Sequence, residues 1–212
     1  LLLRDALLPN LVQTLEGDPA FIHAGPFANI AHGNSSIIAD RLALSTSDYV
    51  ITEAGFGSDM GAEKAIHIKT VASGITPDCI VINATVRSMK LHGGGFSSTG
   101  GQRPSSDEIA KEDVAAVTAG AMTNLSRHIR NMKRFLVPVI VSVNRFSTDT
   151  EAEVQELLRC ARECEADYAA VFEGHQRGGA GAADLAHVVS AACQDHLANG
   201  RPFEPLFESS MG

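Results

Sequence analysis

Apolar and polar positions follow two rhythms along this chain. Four short runs rich in β-branched residues, Asp48 to Thr52, Cys79 to Val86, Val137 to Val143 and Tyr168 to Phe172, lack clean two-residue alternation. That is the pattern of strands covered on both faces. A weaker run spans Ala20 to Ala24. Pro138 is compatible with a strand only near its start, which is where it falls. Between the runs the spacing turns helical. Val114, Val117, Ala121, Leu125, Ile129 and Met132 recur at three and four positions and predict one amphipathic helix from Asp107 to Met132, opened by a capping box of Ser105 and Glu108. Thr150 and Glu153 form the same box ahead of Val154, Leu157, Leu158 and Ala161, and a last helix is predicted from Ala182 to Ala198. Strands alternating with helices predict an α/β fold: a doubly wound, mostly parallel sheet with flanking helices and right-handed crossovers.

The two ends read differently. Leu1 to Leu8 has the character of the last turns of a helix stopped by Pro9. Asn199 to Gly212, with Pro202, Pro205 and two glycines, has the character of a linker. The expected organisation is one α/β section over residues 1–201 and a linker over 202–212 towards a further part. The Gly-rich stretch Gly93 to Gly101 is expected to be a surface loop.

Composition narrows the function classes. A net charge of −8, with few lysines among the 17 basic residues, argues against wholesale binding of a nucleic-acid backbone. No apolar run approaches the length of a membrane span. Cys79, Cys160, Cys164 and Cys193 have no metal-ligand spacing, and no metal site is expected. Nothing points to secretion, so the expected compartment is the cytoplasm. None of the five lysines follows a glycine, so the chain contains no Walker-type phosphate loop.

The candidate chemistry lies in loops that follow the apolar runs. In Glu53-Ala-Gly-Phe-Gly-Ser-Asp-Met-Gly61, Gly55 and Gly57 permit close backbone approach, Glu53 and Asp59 supply carboxylates, and Phe56 is pushed outward to stack on a flat ring. The competing reading folds Phe56 back onto the core and leaves Asp59 as a helix cap. In Gly25 to Ser36, glycine and N-cap residues suit an anion pocket, and His32 is a candidate hydrogen-bond donor to a ligand. His23 sits in an apolar run and reads as a core histidine. Asn144 and Asp149, flanking Arg145-Phe146-Ser147-Thr148, are of the types that read a purine edge, and Phe146 offers a second stacking face. An Asx turn and helix cap by Asp149 is the alternative. The fourth loop, Glu173 to Gly181, carries His175 and Gln176.

With these residues in hand, the chain resembles the formate–tetrahydrofolate ligase (10-formyltetrahydrofolate synthetase) family. The shared segments are Asp5-Ala-Leu-Leu-Pro-Asn-Leu-Val-Gln-Thr-Leu-Glu16, Gly25-Pro-Phe-Ala-Asn-Ile-Ala-His-Gly33, Thr52-Glu-Ala-Gly-Phe-Gly57, Gly61-Ala-Glu-Lys64, Ala84-Thr-Val-Arg87, Lys90-Leu-His-Gly-Gly94 and Thr148-Asp-Thr-Glu-Ala-Glu153. The resemblance covers about residues 1 to 205 and matches the central and later section of the enzyme. It implies a fold related to P-loop NTPases and the ATP-driven joining of formate to tetrahydrofolate through a formyl phosphate. Its implied substrates are magnesium-bound ATP, formate and tetrahydrofolate, with no prosthetic group, and the full-length family implies a homo-oligomer. By position, Glu53, Gly55, Phe56, Ser58 and Asp59 match the loop facing nucleotide and formyl phosphate, while Phe146, Ser147 and Gln176 fall on folate-facing positions. Gln176 stands where the family usually has a tryptophan, and Ser147 where it has a proline. The family's phosphate-binding loop precedes the matched region, so the chain on its own is expected to be inactive. The alternative expectation is a non-catalytic relative that binds a nucleotide or pterin, or assembles with a partner.

Overall fold

The computed structural model describes residues 3–25, 30–34, 36–96 and 104–207. Residues 26–29 of the Gly25 to Ser36 loop, Ser35, most of the Gly93 to Gly101 loop, Leu1, Leu2 and the last five residues lie outside them. The chain divides into two compact units, residues 1–76 with 207–212, and residues 77–206.

The first unit begins with a single 3-10 turn, Asp5–Leu7, where the end of a longer helix was expected. A hairpin follows: β1 (Asn10–Gln13) pairs antiparallel with β2 (Pro19–Ile22), Leu11 opposite Phe21. Thr14 closes the turn, its amide donating to the Asp18 carbonyl and its hydroxyl accepting from the Asp18 amide. The Ala20 run therefore belongs to a hairpin and not to the parallel sheet. Helix α1 (Ile37–Leu44) starts at Ser36, whose hydroxyl accepts from the Ala39 amide. The expected strand Asp48 to Thr52 is not formed. Ile51 is 91% exposed, and among the described residues no strand pairs with the run to offer the backbone partners that a strand needs. The following loop does enter a helix, made of two π-helical stretches, Gly57–Ala62 and Ala65–Thr70, and α2 (Val71–Ser73).

The second unit is an α/β layer around a three-stranded parallel sheet. β3 (Ile80–Ala84), β4 (Val139–Asn144) and β5 (Tyr168–Phe172) lie in that order, Ile82 opposite Val141 and Val143 opposite Val171. Central β4 is buried from Val139 through Val143, as its apolar run, interrupted only by Ser142, requires. The crossover from β3 carries α3 (Val86–His92), α4 (Ser106–Ala110), α5 (Val114–Gly120), a π-helical turn Ala121–Leu125 and α6 (Ser126–Lys133). Helix α7 (Glu151–Glu163) joins β4 to β5 and packs against both strands and α5. After β5 come α8 (Gly174–Arg177), a 3-10 turn Gly178–Gly181 and α9 (Ala183–Asn199), which packs on β5.

Both capping boxes form: Ser105 and Thr150 each accept from the amide three residues on, and Glu108 and Glu153 each reach back. The single helix expected from Asp107 to Met132 is broken. Helix α4 ends at Lys111, and Asp113 restarts the helix by accepting from the Ala116 amide at 2.9 Å. The break turns out the carbonyls of Ile109 and Lys111, and the Lys90 ammonium takes both, at 2.6 and 3.0 Å. Beyond it the predicted stripe is realised, with Val117, Ala121, Leu125, Ile129 and Met132 all buried. The start of the expected linker packs on this unit: Phe203 stacks on Phe135, and the Glu204 amide donates to the Phe135 carbonyl.

Candidate functional site

In the first unit, β2, α1 and the extended segment before Phe56 enclose a cleft of about 550 Å³ whose walls include Phe21, His23, Ser36, Asp40, Glu53 and Phe56. Two left-handed glycines set its rim. Gly55 (φ 84°) and Gly57 (φ 62°) bracket Phe56, a conformation that a side chain would strain. The turn leaves the Phe56 ring 54% exposed. Phe56 is therefore not folded into the core. It occupies the N-cap position of the following helix, and no side chain caps that helix, so Asp59 does not act as the cap. Of the expected nucleotide-facing residues, Glu53, Gly55 and Phe56 line the cleft; Ser58 and Asp59 lie in the first helical turn beyond its rim.

His23 is buried, as expected, and its Nδ1 lies 2.5 Å from the Ser36 hydroxyl. That hydroxyl also accepts from the Ala39 amide. Nε2 has no hydrogen-bond partner among the described residues. His32 is exposed and is not part of the cleft wall. Two further polar residues escaped the sequence reading. Asp40, buried in α1, accepts from Asn34 Nδ2 at 2.6 Å and lies 2.9 Å from Lys69 Nζ. A buried acid in a helix is a signal in itself, but its partner is 29 positions away and no local pattern names it.

In the second unit, the carboxyl edge of the sheet carries the other candidates. Asn144 ends β4 opposite Phe172, and the Arg145 amide donates to the Phe172 carbonyl. The Arg145 guanidinium lies 3.0 Å from Glu151 and 3.6 Å from Glu173, which also pairs with Arg177 at 2.9 Å. Phe146 and Asp149 close a short loop on each other. The Phe146 amide donates to Asp149 Oδ2 at 2.8 Å, and the Asp149 amide donates to the Phe146 carbonyl at 3.0 Å. Burial pushes the Asp149 carboxyl above its ordinary range, against the opposing pull of the Phe146 amide. The α7 cap is Thr150, so Asp149 serves the loop and not the helix end. This leaves the Phe146 ring 48% exposed on a backbone tied at both ends. Ser147 is exposed beside it, and Gln176 is exposed in α8.

Open parallel sheets place ligands at this edge, and both exposed phenylalanines present faces suited to flat heteroaromatic rings. No group of three metal-ligating side chains occurs among the described residues, and no helix there is long and apolar enough to cross a membrane.

Comparison with known proteins gives this arrangement a context. The family model described as formate–tetrahydrofolate ligase matches residues 1–212. A formate–tetrahydrofolate ligase of Aeromonas hydrophila is 51% identical over 91% of the chain, and that of Granulibacter bethesdensis is 51% identical over 99% of it. The Arabidopsis thaliana protein of the same name is 50% identical over 92%. The chain covers 33%, 34% and 31% of these proteins, about a third of the length of the curated relatives it matches. The exposed aromatic loops at Phe56 and Phe146 fall within the matched residues, and with a match over its whole length the chain belongs to the formate–tetrahydrofolate ligase family.

Proposed function

We propose that this chain is a section of an ATP-dependent formate–tetrahydrofolate ligase, lacking the phosphate-binding loop and inactive by itself. In that reaction the formate carboxylate attacks the terminal phosphorus of ATP, releasing ADP. The N10 amine of tetrahydrofolate then attacks the formyl carbon, and phosphate leaves. Magnesium enters with ATP as part of the substrate, and no residue of this chain is assigned to it. The longer protein is read as a cytoplasmic homo-oligomer.

The observation that carries the folate-facing reading is Phe146: a half-exposed ring on a loop closed by a buried aspartate, at the carboxyl end of the central strand. A tied backbone loses little freedom when a ring stacks on it, which favours binding. Ser147 and Gln176 are placed on the same side of the reaction, with Asn144 at the nucleotide edge. Asp149 supports this site from within the loop. Glu53, Gly55, Phe56, Ser58 and Asp59 are assigned to nucleotide and formyl phosphate, and His32 is the candidate for a further contact.

In the complete polypeptide, formate- and tetrahydrofolate-dependent ADP release is the direct assay. Phe146→Ala is expected to raise the KM for tetrahydrofolate roughly tenfold, since a stacked aromatic contributes about 1 kcal/mol beyond its buried area. The KM for ATP should change little. An unchanged KM for tetrahydrofolate overturns the placement of Phe146. The 212-residue chain alone should release no ADP, and turnover by it would overturn the fragment reading. Gln176, standing where the family usually carries an indole, favours a second reading: a relative that binds a nucleotide or pterin, or assembles with a partner, without ligase chemistry. A complete polypeptide that binds tetrahydrofolate but never releases ADP would select it.

A further inference from the structure

Cys79 and Cys193 are 114 positions apart in sequence, yet their sulfurs lie 3.6 Å from one another. Cys79 is in the turn immediately before β3, at the amino end of the sheet, and Cys193 is on α9, the helix that packs on β5. The pair thus links the approach to the first strand of the sheet with the helix over the last. Both thiols are free, Cys79 partly exposed and Cys193 buried. The other two cysteines are engaged elsewhere: Cys160 contacts Glu156, and Cys164 contacts the Met122 sulfur.

We propose that Cys79 and Cys193 form a modification site, a thiol pair that closes to an intramolecular disulfide when met by a low-molecular-weight disulfide oxidant such as oxidised glutathione. The Cys79 thiolate attacks one glutathione sulfur and expels a glutathione thiolate, leaving a mixed disulfide on Cys79. The Cys193 thiolate then attacks the Cys79 sulfur, forming the protein S–S bond and expelling the second glutathione thiolate. Two electrons pass from the cysteines to the glutathione disulfide, and the two protons end on two glutathione thiols. The sulfurs must approach by roughly 1.5 Å to reach bonding distance, a shift within reach of side-chain torsions.

Several features shape the rate. Burial, the adjacent Cys193 and the nearby Asp78 push the Cys79 thiol up to about 12, so the attacking thiolate is scarce at neutral pH. Asp78 also acts on Cys193, where burial is the larger cause of its raised value. Closure is therefore slow near pH 7 and accelerates about tenfold per pH unit below the Cys79 value. The bond spans β3 to α9 and so constrains the unfolded chain across most of the second unit. It lies at the amino end of β3, away from the loops that carry Phe146 and Gln176.

The reduced 212-residue chain, incubated with oxidised glutathione at pH 7 and pH 9 and then alkylated, is the test. Expected are a mass lower by about 2 Da before alkylation, two alkylated cysteines where the reduced chain shows four, and a proteolytic fragment joining Cys79 to Cys193. The pH 9 rate should be about a hundred times the pH 7 rate. The Cys193→Ser variant should stop at the mixed disulfide on Cys79, and Cys79→Ser should form no link. Absence of the Cys79–Cys193 fragment after prolonged incubation at pH 9 overturns the proposal. So does a link confined to Cys160 and Cys164, or a mixed disulfide on Cys79 that persists in the unsubstituted chain.

Discussion

Replacing Glu153 by alanine is expected to destabilise the second unit by about 3–5 kcal/mol, the cost of stranding a buried charge. Lys90 on α3 and Glu153 on α7 are 1% and 0% exposed at the side chain, with Nζ and Oε1 2.9 Å apart. The ammonium is completed by the Ile109 and Lys111 carbonyls, and the carboxylate by the Asp113 amide at 2.9 Å and the Thr150 amide at 3.1 Å. Removing the carboxylate leaves the ammonium without its counter-charge and two amides without their acceptor. A well-packed apolar pair removes the stranded charge but leaves the Asp113 and Thr150 amides and the Ile109 and Lys111 carbonyls unpaired, so Lys90→Met combined with Glu153→Leu should recover only part of the loss. Urea denaturation of the two single variants and the double variant measures this directly. A loss below about 1 kcal/mol for Glu153→Ala would show that water reaches the pair and that burial does not set its energetics.

The same pair predicts the acid limb of stability. Burial raises the Glu153 carboxyl, but Lys90 and the Asp113 and Thr150 amides outweigh it and hold the group below the ordinary glutamate value. A carboxyl depressed on folding contributes stability that is present above its unfolded value, about 4.3, and is lost as pH falls through the lower folded value. In Glu153→Gln this part of the decline should be absent.

The network also explains how the Phe146 loop is held. Glu153 Oε2 accepts from the backbone of Thr150, the residue after Asp149, and Asp149 Oδ2 accepts from the backbone of Phe146. One chain of contacts therefore runs from α3 through the first turn of α7 to the exposed ring. The first turn of α7 thus ties the Phe146 loop to the buried ion pair.

How far the sequence foretold these features depended on how local each was. Strands β3 to β5 were legible because a β-branched run between helical patterns has few alternatives, and both capping boxes were legible because each spans four residues. The Asp48 to Thr52 run had the same composition, yet a strand is made by its neighbour, and among the described residues none pairs with it. Ala20 to Ala24 found a partner in Asn10–Gln13, a stretch with too little alternation to suggest a strand. The helix break at Lys111 falls ahead of the stripe, between the capping box and Val114, where no glycine or proline marks a stop. The Lys90 ammonium that takes the freed carbonyls comes from another helix. At the site, the glycines around Phe56 announced a projecting ring, whereas the Asp40–Lys69 and Arg145–Glu173 pairs join distant positions and have no local signature.

Gly120→Ala tests a position where two sequence rules disagree. Alanine in a helix interior is favoured over glycine by about 1 kcal/mol, so propensity alone predicts a more stable protein. Packing predicts the reverse. A Cβ at Gly120 would fall 2.0 Å from the Met89 carbonyl oxygen and 3.0 Å from its Cα, and one at Gly93 would fall 1.9 Å from the Ala116 carbonyl oxygen. Helices α3 and α5 thus meet backbone to backbone, with a glycine at each point of closest approach. Main-chain atoms cannot swing aside as a flexible side chain can, so the helices must separate and loosen the contacts of buried Val86, Met89 and Val117. We expect a net loss of about 2 kcal/mol or more, read as a lower urea midpoint with an unchanged slope. Lys90 follows Met89 in α3, so the displacement would also draw the ammonium from Glu153. Gly120→Ala and Glu153→Ala should therefore cost less together than the sum of their separate losses. A Gly120→Ala protein more stable than the parent would show that the helices have room to spare, and strict additivity would show that the crossing does not position Lys90.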